Sequence, residues 1–514
     1  MRIPEEVCGA PSSGPLLIQG ARVLSLDAAG REWAKADILL RDGRIEFIGL
    51  ELSVSPGTPT LDARGMLAMP GLVNAHFHSP GNLMRGQLDG LPLELFMLYE
   101  VPPLAQSGDG HRMAYLRTMM GALEMLERGI TTVHDDAYHV PVATPQGIDT
   151  VMQAYADAGI RATVAIDQPN IVEYDKFPYL RELLPARMRS EMEAAPLQGA
   201  DELLALYQHL ITRWHGAAQG RLAAAVSCSA PQRVTRPYLQ ALGELSRRHD
   251  LPYNLHVLET KLQRATGLER FGQSLLRHVH EAGVLDERCQ IIHAVWIDDD
   301  DLRLLADSGA VVAHNPVCNL RLGSGVMPWR ALRDVGVPIA IGTDELCTDD
   351  TANLWLAGKM AGLVHNLSSA DSSRWPRHGE VLHAMTAGGA RAVRREGELG
   401  QLIPGALADI ILLDLDRWAF TPCNDVRRQL VYSEDGSSVR HVIVNGEVVV
   451  RDGEHVSIDA RAIRDEIRAL APAIQAQWAG SHAAALRLWP YYQAMLEKAH
   501  ALPSGLTRRV LAGD

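Results

Sequence analysis

The six cysteines, Cys8, Cys228, Cys289, Cys318, Cys347 and Cys423, form no C-x-x-C pair. That argues against a zinc knuckle or a redox dithiol, and predicts reduced, mostly buried thiols of a cytoplasmic protein. Basic residues are also scarce: 49 Lys and Arg face 62 Asp and Glu, for a net charge of −13. A nucleic-acid surface needs clustered cations, so no such partner is expected, and neutral or cationic ligands are favoured over anionic ones. No stretch approaches the ~18–20 continuous apolar residues that span a membrane. The opening run MRIPEEVCGAPSSG has acids and prolines where a signal peptide has a basic start and an apolar core.

What is present is a large apolar content. The 514 residues are 47% hydrophobic and 22% charged, as in a globular protein long enough for two or more packed units. Residues 16–50 alternate short β-rich runs with turn signals at Gly20, Asp27–Gly30 and Asp42–Gly43. The same texture returns at 405–456, where Asn445-Gly446 marks a hairpin. The two β-rich ends are predicted to pair into one small β-sandwich, which brings together the ends of the intervening segment.

That segment alternates apolar strand-like runs with amphipathic helical stretches. The runs are 67–78, 129–136, 160–167, 222–231, 251–259, 289–296, 309–316 and 337–345. Eight such runs predict an α/β fold, a TIM-like (β/α)8 barrel. A doubly wound sheet is disfavoured because no G-x-G-x-x-G opens a helix after the first strand. Residues 459–500 carry Ala, Leu, Arg and Glu at helical spacing without turn signals. The predicted organisation is therefore 1–68 plus 405–458 as the sandwich, 69–404 as the barrel, and 459–514 as a helical extension. That extension packs on the barrel or on a second subunit; a homo-oligomer, in its simplest form a dimer, is expected.

Polar residues collect where the apolar runs end, at the rim where barrels build their sites. The first run ends His76-Phe77-His78, and alternate residues on a strand share a face, so both imidazoles can converge on one ion. The fifth run ends with His256 and Glu259; the sixth carries His293, the seventh His314 and the eighth Asp344. Singly, each has an ordinary reading, a core histidine or a helix cap. Jointly they supply imidazole and carboxylate, the donors favoured by borderline ions such as zinc or iron(II).

The set Pro70-Gly71-Leu72-Val73-Asn74-Ala75-His76-Phe77-His78, His256-Val257-Leu258-Glu259, His293-Ala294, His314-Asn315-Pro316 and Gly342-Thr343-Asp344 resembles the amidohydrolase superfamily. Its deaminase and chlorohydrolase branch, which includes the S-adenosylhomocysteine, guanine and cytosine deaminases and the triazine hydrolases, is the nearest in texture. The resemblance implies that His76, His78, His256 and Asp344 ligate one divalent metal ion, zinc in preference to iron(II). It implies that His293 contacts the attacking water or the substrate and that Glu259 shuttles protons. Two-metal members bridge their ions with a modified lysine on the fourth strand; LAAAVSCSAP has none, so one ion is expected.

Such an ion brings a water towards hydroxide near pH ~7. Amine is a poor leaving group and needs a proton, which Glu259 would supply if burial raises its pKa. The expected reaction is release of ammonia from an amino-substituted heterocycle or cyclic guanidine or amidine. The alternatives are hydrolysis of a ring amide, displacement of chloride or alkylamine from a triazine-like ring, and a non-catalytic scaffold of the same fold. Expected substrate contacts are Phe96, Trp296, His314, Glu345 and Asp349. The acids Glu94, Glu100, Asp135, Asp136, Glu345 and Asp349 would make an acidic mouth for a cationic substrate; the ordinary reading of the first four is a solvated rim.

Overall fold

The protein is described by a computed structural model covering residues 14–106, 108 and 110–509. Cys8 and the N-terminal run read above for a signal peptide lie, up to Ser13, outside the described residues.

Both ends of the chain build one connected sheet. The start contributes Leu16–Leu24, Glu32–Arg41, Arg44–Gly49, Thr60–Asp62 and Met66–Pro70; the end contributes Ile410–Asp414, Val439–Val444, Glu447–Arg451 and Glu454–His455. The seam is antiparallel, with Ala68 opposite Leu412. The Asn445-Gly446 signal is a hairpin turn: Val444 faces Glu447, and both turn residues are left-handed, at φ 53° and 81°. Ile18, Val23, Ile38, Ile410 and Ile443 bury their side chains together in this sheet's own core.

Eight parallel strands follow one another in the middle segment. They are β1 (Leu72–Phe77), β2 (Ile130–Tyr138), β3 (Arg161–Asp167), β4 (Leu222–Ala224 with Val226–Ser227), β5 (Tyr253–Val257), β6 (Cys289–His293), β7 (Val311–His314) and β8 (Ile339–Ile341). Each pairs with its sequence neighbour. β4 is interrupted at Ala225, whose N–H still donates to the Val164 carbonyl at 2.8 Å, while Val226 N–H turns to Pro252 at 2.9 Å. After β8 the chain returns to β1: Asp344 N–H donates to the His76 carbonyl and Thr343 N–H to Asn74 Oδ1, each at 3.0 Å. Nearly every strand residue is buried, which is why the runs read as unbroken apolar stretches rather than alternating ones.

One expectation needs correction. Residues 67–78 are two strands, not one: Met66–Pro70 belongs to the terminal sheet and Leu72–Phe77 is β1. The break is Gly71, where a Cβ would come within 2.1 Å of Thr131 Oγ1, so only glycine lets the chain pass that close.

Residues 460–501 form a single helix, Ala460–Ala501, capped by Asp459, whose side chain accepts from Ala462 N–H at 2.9 Å. Its second half buries the stripe Leu488, Tyr492, Met495 and Ala499. That stripe packs with Leu95, Phe96, Tyr99, Tyr174 and Phe177, beside the C-terminal ends of the parallel strands. No helix among the described residues is long and apolar enough to cross a membrane.

Candidate metal centre and active site

Four histidines and an aspartate meet where the parallel strands end. His76 closes on β1, His78 follows it, His256 lies on β5, His293 ends β6 and Asp344 follows β8. Ligand atoms of His76, His78 and Asp344 lie within 4.8 Å of one another, as do those of His76, His256 and His293. All five residues are buried. His293 and Asp344 take left-handed backbone at φ 74° and 62°, as does Leu258 at 56°. For non-glycine residues that costs about 1–3 kcal/mol each and is held only where surrounding structure fixes it.

The ring tautomers reveal what the cluster is built to hold. His78 Nδ1 lies 2.6 Å from the Asp136 carbonyl, and His256 Nδ1 lies 2.7 Å from the Ser229 carbonyl. Carbonyls only accept, so both Nδ1 atoms carry the proton. The two Nε2 atoms then face each other at 3.2 Å with at most one proton between them. Neither nitrogen of the buried His76 has a hydrogen-bond partner among the described residues. Asp344 Oδ1 lies 3.7 Å from His76 Nε2 and 3.8 Å from His78 Nε2. Tetrahedral donors ~2.0–2.1 Å from a zinc ion stand roughly 3.4 Å apart. Inward-facing ring nitrogens and a carboxylate at about this spacing fit a divalent cation.

Electrostatics agree. Burial and then the neighbouring histidines hold His76 and His256 far below the usual imidazole range. For His78 burial works in the same direction, but Asp344, Asp136 and Asp167 overcome it and push the ring up to about 9. The same surplus of carboxylate that draws a proton there is what a metal ion neutralises.

His293 is prepared differently. Its Nδ1 accepts from the side-chain amide of Asn319 at 3.0 Å, with Asn315 at 3.3 Å. That leaves the proton on Nε2, which points between Asp344 Oδ2 at 3.7 Å and Glu259 Oε2 at 3.5 Å. Burial, then His78, holds this ring neutral with its pKa at about 3. Glu259 is itself buried and its Oε1 has no partner among the described residues. Burial first, then Asp344 and Glu94, raises its carboxyl well above the carboxylate range. The arrangement thus offers a protonated carboxyl and a neutral N–H donor on one side of the cluster.

Beneath the cluster His134 ties four strands together. It donates to Gln290 Oε1 at 3.1 Å and accepts from Asn254 at 3.1 Å, and Gln290 donates to the Ala75 carbonyl at 2.6 Å.

The cavity above it has about 870 Å³ of empty space, its open mouth included. His78, His256, Glu259, His293, Asp344 and Glu345 all line it. Four other expected contacts do not line it. On the helix Leu93–Glu100, Leu93, Met97 and Glu100 face the cavity at helical spacing, which turns Phe96 into the apolar cluster under the C-terminal helix. Trp296 is core, its indole N–H donating to the Ser324 carbonyl at 2.8 Å. His314 pairs with His365 at 3.0 Å. Asp349 is buried and is not among the lining residues. Three of the four rim acids are not solvated: Glu94, Asp135 and Asp136 are buried, and Asp135 accepts from Ser79 N–H and the Tyr155 hydroxyl at 2.9 and 2.8 Å; Glu100 is half-buried at the cavity wall. The sequence reading missed Tyr138, Asp167, Arg233 and Tyr492, which line the cavity. Tyr138 and Asp167 end β2 and β3 just as the histidines end theirs, so the signal was there.

A model of the amidohydrolase family matches residues 67–449. The chain belongs to the amidohydrolase family. This amidohydrolase is 30% identical over 452 residues to a 5-methylthioadenosine/S-adenosylhomocysteine deaminase of Desulforudis audaxviator, covering 87% of this chain and 96% of that one. Among solved structures it is similar to an adenosine deaminase from Xanthomonas campestris with bound zinc, at TM-score 0.78 and 25% identity over 91% of this chain and 100% of that one. It is also similar to an atrazine chlorohydrolase from Arthrobacter aurescens complexed with zinc, at TM-score 0.78 and 25% identity over 88% and 99%. As a member of this family the amidohydrolase is a hydrolase acting on carbon–nitrogen bonds other than peptide bonds.

Proposed function

We propose that this amidohydrolase deaminates an amino-substituted heterocycle, of which adenosine derivatives are the nearest example among its relatives. The observation that carries this reading is the pairing of a buried, proton-retaining Glu259 with His293 Nε2 at 3.5 Å, beside the imidazole cluster.

In this reading β1–β8 close into a (β/α)8 barrel over 69–404. The terminal sheet folds as a sandwich from 1–68 and 405–458, and 459–514 is a separate helical extension. The return of Asp344 N–H to the His76 carbonyl supports the closure. His76, His78, His256 and Asp344 hold one divalent ion, zinc before iron(II), since three imidazoles and a carboxylate suit both and zinc accompanies two structural relatives. When bound, the ion supplies a water that is nucleophilic near neutral pH. The five thiols left unpaired among the described residues favour a reducing compartment such as the cytoplasm.

The chain's own groups do the rest. Glu259 gives its proton to the ring nitrogen beside the carbon under attack, takes up the proton of the added hydroxyl as the C=O bond forms and the C–N bond breaks, and passes it to the departing amine; the proton held by Asp344 then restores Glu259. Asp344 Oδ2 accepts the proton that the nucleophile loses. His293 Nε2–H donates to the oxygen on which charge develops. Glu345 contacts the substrate from the wall. Chloride would leave without a proton, so a protonated Glu259 favours amine over halide as the leaving group.

Metal analysis followed by an ammonia-release screen across aminopurines, aminopyrimidines, pterins and aminotriazines tests the reading. Ammonia release that needs the metal and is lost in Glu259→Gln with metal retained supports it. Release of chloride or alkylamine, or ring opening without ammonia, replaces it with the rival hydrolysis. A pure chain that binds no transition metal and gains no activity with zinc, iron or manganese sinks it.

A further inference from the structure

The cavity is lined by the carboxyl groups of Glu100, Asp167, Glu173, Glu259, Asp344 and Glu345, against only Lys176 and Arg233 as cations. Most of these carboxyl groups have a partner. Lys176 meets Glu173 at 2.6 Å. Ser229 and Arg233 stand by Asp167. Asp344 belongs to the imidazole cluster and Glu259 to the proton relay. Glu100 and Glu345 remain.

Glu345 is 4% exposed, and its Oε2 accepts no hydrogen bond from any described residue. Ligand atoms of Glu100, Glu345 and Cys347 lie within 4.8 Å of one another. Space for this carboxylate is kept by Gly81, where a Cβ would stand 2.3 Å from Glu345 Oε2 and 2.9 Å from Cys347 Sγ. Two buried carboxyls this close are costly to ionise together unless a cation pairs with both. Glu345 stands next in sequence to Asp344, and it faces the same cavity in which the ring must lie.

We infer that Glu345 and Glu100 form a subsite for a cationic group of the substrate, an amidinium or protonated amine borne on or beside the ring. This inference rests on the aminohydrolase reading of the cavity and narrows it from amino-heterocycles in general to cationic ones. Two carboxylates side by side match the paired N–H donors of an amidinium, and a low-dielectric wall strengthens that pairing.

The test uses the zinc-loaded full chain, titrated calorimetrically with benzamidine, a flat amidinium, and with benzamide, its neutral counterpart. Wild type, Glu345→Gln and Glu100→Gln are compared, with zinc content measured for each. Benzamidine should bind wild type about tenfold or more tightly than benzamide, and each substitution should remove most of that difference with one zinc retained. Glu100 is half-buried, so its variant keeps the test sharp even if Glu345→Gln disturbs Asp344. Equal binding of the two probes, or a benzamidine preference that survives both substitutions, overturns the subsite. So does a second zinc equivalent that Glu345→Gln removes, because the cluster would then be a metal site. If no heterocycle yields ammonia while the benzamidine preference behaves as expected, deamination falls and the subsite stands.

Discussion

His293 turns Nε2 towards Oε2 of Glu259 at 3.5 Å because Asn319 holds the other ring nitrogen from behind at 3.0 Å. Three residues from three separate stretches of the chain thereby fix one proton's position. Asn319→Ala should therefore lower kcat about tenfold, with metal content unchanged and KM little affected, as expected for loss of a group that orients another. Asn319→Asp should differ from it, since a carboxylate beside Nδ1 draws a proton there and makes the ring cationic. The pH–kcat profiles of the two variants distinguish a positioning role from a packing role.

Glu259 gives a signed pH dependence. Burial raises its carboxyl, so the acid form persists above the usual carboxylate range and is lost as pH rises through the raised value. A proton donor works only below its pKa, so kcat should fall on the alkaline side of that point. Glu259→Gln should remove this limb and lower kcat by about 10²–10⁴-fold. His293, neutral above about 3, should add no limb between about pH 5 and 9. A Glu259→Gln enzyme with full activity and an unchanged profile would refute the assignment.

Removing the metal should destabilise the protein as well as silence it. The Nε2 atoms of His78 and His256, 3.2 Å apart, share at most one proton without a cation, whereas a bound ion engages both. An ion present at about a thousand times its Kd stabilises by about 4 kcal/mol. Dialysis against a chelator should lower Tm, zinc should restore it, and His256→Ala should respond to neither. A Tm indifferent to chelation would count against the site.

The joint between terminal sheet and parallel strands has its own test. Arg161 on β3 makes two hydrogen bonds to Asp409, at 2.9 Å each, and both side chains are at most 4% exposed. Asp409→Ala should cost about 3–5 kcal/mol in denaturant unfolding, because a buried guanidinium loses its partner. Replacing both by apolar residues should cost less than that.

What was legible in the sequence follows from strand geometry. His76, His78, His256, His293 and Asp344 each end or follow an apolar run, and parallel strands place those ends together. The residues 67–78 concealed a boundary because both halves are apolar and only Gly71 marks it. Phe96 follows the first histidine pair closely in sequence, which points to the cavity, but helical phase turns it into the apolar cluster instead. Tyr492 was out of reach: it lies on a helix some 400 residues after the first ligand, and nothing local says that its hydroxyl donates to Glu173 at 2.8 Å. The burial of Asp135 and Asp136 was equally hidden, since it depends on Ser79 and Tyr155 closing over Asp135 and Ser227 donating to Asp136.

The seam between Met66–Pro70 and Ile410–Asp414 also sets a timetable for synthesis. The early strand leaves the ribosome long before its partner exists, and at ~5–20 residues per second the wait is roughly twenty seconds to a minute. Throughout that interval an apolar strand edge is open to any passing chain, which makes a growing polypeptide of this kind a natural client for chaperones that bind extended segments.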